Sequence, residues 1–174
     1  MRIAQIAPPW EPVPPKGYGG TERVVQYLTD ELVRAGHEVT LFASGDSTTP
    51  ARLHAVTHKS LRSQGVHLHD GAPFMVGEIE QVRQKLQDFD IVHGHIDYFA
   101  FPLGRIAGAP PAVHTMHGRL DLPHIKNVFE QFADQPLVSI SNSQRTPLPH
   151  QHWAATIHHG LPEHLYRPSY HHKD

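Results

Sequence analysis

A chain of 174 residues, 39% of them hydrophobic and with a formal charge of −2, is long enough to bury one sizeable core and lacks the basic excess of a nucleic-acid surface. The absence of cysteine excludes disulfides and thiolate metal sites. No apolar run is long enough for a membrane span, nothing indicates membrane association, and the chain opens on a strand rather than a charged leader, so a soluble cytoplasmic protein is expected.

Residues 3–7 form a short apolar run that predicts a buried strand. A proline-rich insert follows (Pro8, Pro9, Pro12, Pro14, Pro15), and then the turn Gly17-Tyr18-Gly19-Gly20-Thr21. Val24, Val25, Leu28, Leu32 and Ala35 recur at helical spacing, and Gly36 is placed to stop that helix. Strand, glycine turn and helix together point free backbone N–H groups and a positive dipole end at an anion. Neither nucleotide fingerprint fits, because the glycines read Gly-x-Gly-Gly and Gly20 is followed by Thr21-Glu22 rather than Lys-Ser or Lys-Thr. On composition alone, the alternative is a flexible connection before a helix.

Residues 37–43 are rich in strand formers and complete a βαβ unit, which predicts a parallel pair with a right-handed crossover. Between residues 48 and 74 only a short strand at 53–56 is suggested, the rest reading as loop. Ile79, Val82, Leu86 and Phe89 line one face of a helix predicted over 77–89. A strand over 90–95, a helix over 98–107, a strand over 111–118, a helix over 124–133 and strands over 137–143 and 154–158 complete the series. Such alternation predicts an α/β protein, an open parallel Rossmann-like sheet with helices on both faces. Ligands of such sheets bind outside the carboxyl ends of the strands. The polar residues collect there: the glycine turn, His93-Gly94-His95, His117-Gly118 and Ser141-Asn142-Ser143.

Histidine is the outlier, with 17 residues and recurrent pairs at His67/His69, His93/His95, His114/His117, His158/His159 and His171/His172. Two histidines one residue apart on a strand share a face, so His93 and His95 have the geometry to act together. A zinc site would need three or four ligands to converge, and no His-Glu-x-x-His motif is present. No metal and no cofactor are expected, and most of these histidines read as surface enrichment.

Several stretches, in order, resemble the N-terminal domain of the GT-B fold glycosyltransferases of family 4, the retaining nucleotide-sugar-dependent group. They are Gly19-Gly20-Thr21-Glu22-Arg23-Val24-Val25, the segment 32–41, Asp90-Ile91-Val92-His93-Gly94-His95, Val113-His114-Thr115-Met116-His117-Gly118 and Ser139-Ile140-Ser141-Asn142-Ser143-Gln144-Arg145. His158-His159-Gly160-Leu161-Pro162 is similar to a further family segment, with His159 where asparagine is usual. The resemblance implies that residues 1–174 are a single Rossmann-like, acceptor-side domain. It also implies that the nucleotide-sugar-binding C-terminal domain lies outside this chain, which alone would have little or no activity. Glu80 and Asp88 have the spacing of that missing domain's carboxylate motif but fall on an ordinary helix.

On matching positions, Gly19, Gly20 and Thr21 would face the donor diphosphate, and His117 would be the active-site histidine beside the transferred sugar, its usual pKa range suiting proton handling. The alternative for His117 is a strand-ending residue bonded to backbone. Glu22, His95, Asp97 and Arg145 are implied on the acceptor side, with a structural role as the alternative for His95 and Asp97, Glu22 alternatively orienting the loop and Arg145 alternatively a solvated charge. Asn142 and Ser143 read as helix caps. The implied partners are a UDP-, GDP- or ADP-linked sugar and an acceptor read by residues 8–17 and 48–74. Other functional readings are half of a sugar-nucleotide epimerase, or a non-enzymatic α/β module that binds a phosphorylated ligand or a metal.

Overall fold

The computed structural model describes residues 1–162 and 165; the His171/His172 pair lies outside the described residues. The elements are β1 (Arg2–Ile6), α1 (Gly20–Arg34), β2 (Glu38–Ser44), β3 (Arg52–Thr57), α2 (Ala72–Arg83), β4 (Ile91–Gly94), β5 (Ala112–Thr115), α3 (Lys126–Gln131), β6 (Leu137–Ser139), α4 (Asn142–Arg145) and β7 (Trp153–Thr156). A 3₁₀ segment, Asp97–Arg105, links β4 to β5. All seven strands pair in parallel in the order β3-β2-β1-β4-β5-β6-β7. This is the Rossmann-like α/β sheet expected from the alternating pattern.

Strand periodicity sorts the core onto two faces. Ala4, Ile6, Phe42 and Val92 pack against Met75 and Val82 of α2 and against Ala100 and Leu103 of the 3₁₀ segment. Ala7, Leu41 and Ala43 face the other way and meet Val25 of α1. A third cluster, Phe101, Met116, Phe129 and Leu137, extends the core toward β7. Covering both faces is what a parallel sheet requires, and it explains why the central strands read as continuous apolar runs.

Two helices depart from the predicted pattern. The helix predicted over 77–89 begins at Ala72 and leaves α-geometry after Arg83, while Leu86–Asp88 forms a separate 3₁₀ turn. Pro73 in its first turn is compatible with helix initiation, and the buried positions Met75, Glu78 and Val82 follow helical spacing. The segment 98–107 is 3₁₀ rather than α, with Pro102 inside it.

The proline-rich insert after β1 is not a flexible connection. Pro9, Pro12, Val13 and Pro15 are buried. The N–H of Val13 donates to Ser47 Oγ at 2.9 Å, and the N–H of Thr48 donates to the Val13 carbonyl at 2.7 Å. Leu61 and Arg62 donate back to the carbonyls of Pro9 and Trp10. The insert is therefore laced to the segments around β3, and it delivers the glycine turn to one place at the carboxyl end of β1.

Candidate functional site

The strand order reverses between β1 and β4, so the chain leaves these neighbours in opposite directions and opens a crevice at their carboxyl ends. Two features flank it. One is the start of α1: Gly19 occupies the N-cap at φ 135° and no side chain caps the first turn. A Cβ on Gly19 would lie 2.6 Å from Pro15 Cβ, whereas a Cβ on Gly20 would meet nothing within 4 Å. Arg23 Nη2 donates to the Gly17 carbonyl at 3.2 Å and lies 3.5 Å from that of Pro15, holding the turn from behind. The helix thus begins with uncapped N–H groups and open space at Gly20, a geometry that accepts an anion.

The other feature is a row of histidines. Gln5, His93 and Val113 are level across β1, β4 and β5, and His95 and His117 follow on the same face one layer further out. His95 Nε2 lies 2.8 Å from Gln5 Oε1, and His95 Nδ1 lies 2.9 Å from His117 Nε2. His117 Nδ1 is 3.3 Å from His159 Nε2, and these two rings stack with centroids 5.1 Å apart. His93 Nε2 meets Thr115 Oγ1 at 2.8 Å.

Burial keeps the row uncharged. It pushes His93 down to about 4 and His117 down to about 3, with neighbouring histidines adding to the effect. His95 is held well below the ordinary histidine range, again by burial first. The ordinary histidine range expected at His117 is therefore not retained: near pH 7 its ring is neutral and works as a hydrogen-bonding group rather than as a cation.

The implied acceptor-side residues are placed differently from one another. His95 is only 2% exposed, so it supports His117 from inside. Glu22 is 4% exposed and turned inward, its carboxyl raised by burial. Asp97 is exposed, holds φ 51°, and lines a cavity of about 240 Å³ with Tyr98, Gly118, Leu120 and Phe129. Asp is among the residues that tolerate this left-handed backbone. Arg145 lies 5.4 Å from the Trp153 ring centre, and its Nη1 is 3.3 Å from Thr156 Oγ1. It makes no ion pair among the described residues. The cap of α4 is Ser141, whose Oγ accepts the N–H of Gln144 at 3.1 Å; Asn142 and Ser143 lie within the helix.

Sequence reasoning passed over two polar residues. Gln5 falls unremarked within the apolar run of residues 3–7 but anchors the row. Gln144 Nε2 donates to the carbonyls of Met116 and Gly118, at 3.0 and 2.9 Å, clamping the backbone on both sides of His117. The available signal was a polar residue in an apolar strand at position 5, and a long amide one turn into a capped helix at position 144.

Elsewhere, a depression of about 610 Å³ lies at the amino ends of β1, β2 and β3, lined by Arg2, Glu38 and Arg52 among others. It is at the opposite end of the sheet from the histidine row. Glu80 is exposed and paired with Arg83, so it takes no part in the crevice. Among the described residues no group of three or more His, Cys, Asp or Glu is placed to hold a metal ion. No helix among them is long and apolar enough to cross a membrane.

The family model for Glycosyltransferase Family 4 matches residues 18–170, from the glycine turn through the histidines at 93, 95, 117 and 159, with Gln5 lying before it. The chain belongs to this family. Its fold is similar to that in the crystal structure of AviGT4, a glycosyltransferase involved in avilamycin A biosynthesis, with a TM-score of 0.58 and 22% identity over 96% of this chain. The match takes in 44% of the AviGT4 chain, so the family 4 chain described here spans less than half the length of that relative. The C-terminal domain of the coenzyme A biosynthesis bifunctional protein CoaBC matches at 15% identity, TM-score 0.49, over 79% of this chain and 76% of that one. No curated protein sequence matches. The chain is a glycosyltransferase-type domain with a Rossmann-like α/β sheet.

Proposed function

We propose that this chain is the acceptor-side domain of a retaining glycosyltransferase that moves a sugar from a nucleotide diphosphate donor, UDP-, GDP- or ADP-linked, to an acceptor. In this reading the nucleotide-holding domain lies outside the chain, and the isolated chain has little or no transferase activity. The observation that carries the proposal is the meeting, at one strand-end crevice of a family 4 domain, of an uncapped helix start and a row of neutral histidines ending at His117.

Each part has a task. Negative charge builds on the diphosphate as the sugar leaves, and the N–H groups and dipole of α1 at Gly20 and Thr21 stabilise it. Donors aimed at such developing charge are worth about 10²–10³ in rate each. A neutral His117 adds no charge to the site; it hydrogen-bonds a hydroxyl of the sugar or acceptor and so orients it. Asp97, at the rim of the neighbouring cavity, accepts hydrogen bonds from acceptor hydroxyls, and the loops that carry the proline-rich insert and residues 48–74 contribute to acceptor choice.

The direct test is a titration of this chain with UDP, GDP and ADP sugars, with and without zinc. Weak or absent binding with no metal effect fits a domain separated from its donor half; tight binding would overturn the two-domain reading. In the full-length parent, His117→Ala abolishes transfer with the fold intact, and near-normal turnover would remove His117 from its assigned role.

A further inference from the structure

The chemistry of the Gln5 amide determines where every proton in the histidine row resides. Gln5 is fully buried on β1. Its Oε1 faces His95 Nε2 at 2.8 Å, and its Nε2 faces His93 Nδ1 at 3.5 Å. An amide oxygen only accepts and an amide nitrogen only donates. His95 must therefore carry its proton on Nε2, and His93 must leave Nδ1 bare.

A neutral imidazole has one proton, so each choice dictates the next. With Nε2 protonated, His95 has a bare Nδ1 that accepts from His117 Nε2–H across 2.9 Å. His117 then has a bare Nδ1, which accepts from His159 Nε2–H at 3.3 Å. On the other arm, His93 Nε2–H donates to Thr115 Oγ1 at 2.8 Å. Turning the Gln5 amide over would reverse every one of these donors and acceptors.

We infer that Gln5 is a positioning residue: acting through His95, it fixes His117 in the Nε2–H tautomer, so that His117 offers a proton-free Nδ1 at the mouth of the crevice. That lone pair accepts a hydrogen bond from a hydroxyl of the bound sugar or acceptor once His159, on the exposed segment after β7, gives way. The hydroxyl is thereby held by its hydrogen, with its oxygen lone pairs left free. The role assigned to the hydroxyl rests on the transferase reading above; the proton positions do not.

The experiment is a long-range ¹H–¹⁵N correlation spectrum of the histidine-labelled chain at neutral pH, without ligand, in which the two ring nitrogens separate according to which bears the proton. His93, His95 and His117 are each expected as Nε2–H. If His117 is found as Nδ1–H, the amide is reversed and the inference is overturned. In Gln5→Met, which keeps the volume and removes the amide, His117 is expected to populate both tautomers; a His117 still wholly Nε2–H would show that Gln5 does not set it. Should Gln5→Met fail to fold, His95→Phe breaks the row one link further out and carries the same expectation for His117, with the same outcome overturning it. Failure of the transferase reading would leave these spectra unchanged, because no substrate is present.

Discussion

The glycine turn offers a test in which two adjacent glycines are expected to behave in opposite ways. At Gly19 an alanine methyl would sit 2.6 Å from Pro15 Cβ, 3.1 Å from Pro15 Cγ and 3.2 Å from Glu11 Cγ, on a backbone with φ 135°. A residue with a side chain in such a sparsely allowed conformation costs about 1–3 kcal/mol. Forcing a methyl into occupied space costs about 1–3 kcal/mol more. Pro15 is buried, and its ring cannot swing away as the end of a flexible side chain can. Gly19→Ala should therefore lose roughly 2–6 kcal/mol, a fall in Tm of roughly 4–24 °C for a domain of this size. Gly20→Ala meets nothing within 4 Å, and at the first helical position it should change stability by less than about 1 kcal/mol, if anything upward. The assay is urea and thermal unfolding of the two variants beside the parent chain. A Gly19→Ala protein as stable as the parent would refute the packing argument, and with it the claim that the turn is held rigidly for an incoming anion. Gly20→Trp extends the test to function, since it should fold yet weaken donor use in the full-length enzyme; unchanged donor kinetics would count against a phosphate beside this turn.

Three further outcomes can be measured on the chain itself. Glu78 is fully buried with neither carboxyl oxygen hydrogen-bonded, and burial holds its pKa well above 4.5. The folded state then binds a proton that the unfolded state releases, so this group makes stability fall as pH rises above 4.5; Glu78→Gln should remove that limb and be more stable than the parent at pH 7, and identical pH–stability curves would contradict it. His114 is fully buried, and burial lowers it from 6.5 to about 4 against the smaller raising effect of Gln135. Here the unfolded state binds the extra proton, so stability is lost as pH falls from 6.5 toward 4; His114→Leu should flatten part of that acid limb in pH-jump unfolding, and an unaltered limb would show His114 to be silent. In Gly94→Ala the new methyl would lie 2.7 Å from His114 Nδ1 and 3.0 Å from Ala100 Cβ, costing about 1–3 kcal/mol in denaturant unfolding; a neutral result would mean that His114 moves freely.

The central strands were legible because a parallel sheet covered on both faces needs short apolar runs, and residues 3–7 (broken only by Gln5), 41–43 and 91–92 supply them. Strand 137–143 ran too long, since Ser141 belongs to the cap of α4 and only Leu137–Ser139 pairs. The helix at 77–89 was misplaced because periodicity at Ile79, Val82, Leu86 and Phe89 does not reveal a chain that leaves α-geometry after Arg83, nor a carboxylate at Glu78 turned into the core.

For the site, local sequence determined which residue types stand at the strand ends and that His93 and His95 share a face, because strand periodicity is a property of the chain itself. It did not determine which rings meet. His95 and His117 are 22 positions apart and Gln5 and His95 are 90 apart, and only the side-by-side pairing of β1, β4 and β5 brings them within hydrogen-bonding distance. Burial, and with it the neutral state of His117, is likewise a property of the assembled sheet: the same imidazole on an isolated strand would keep the ordinary histidine pKa, and here the surrounding protein removes the water that would solvate its charge.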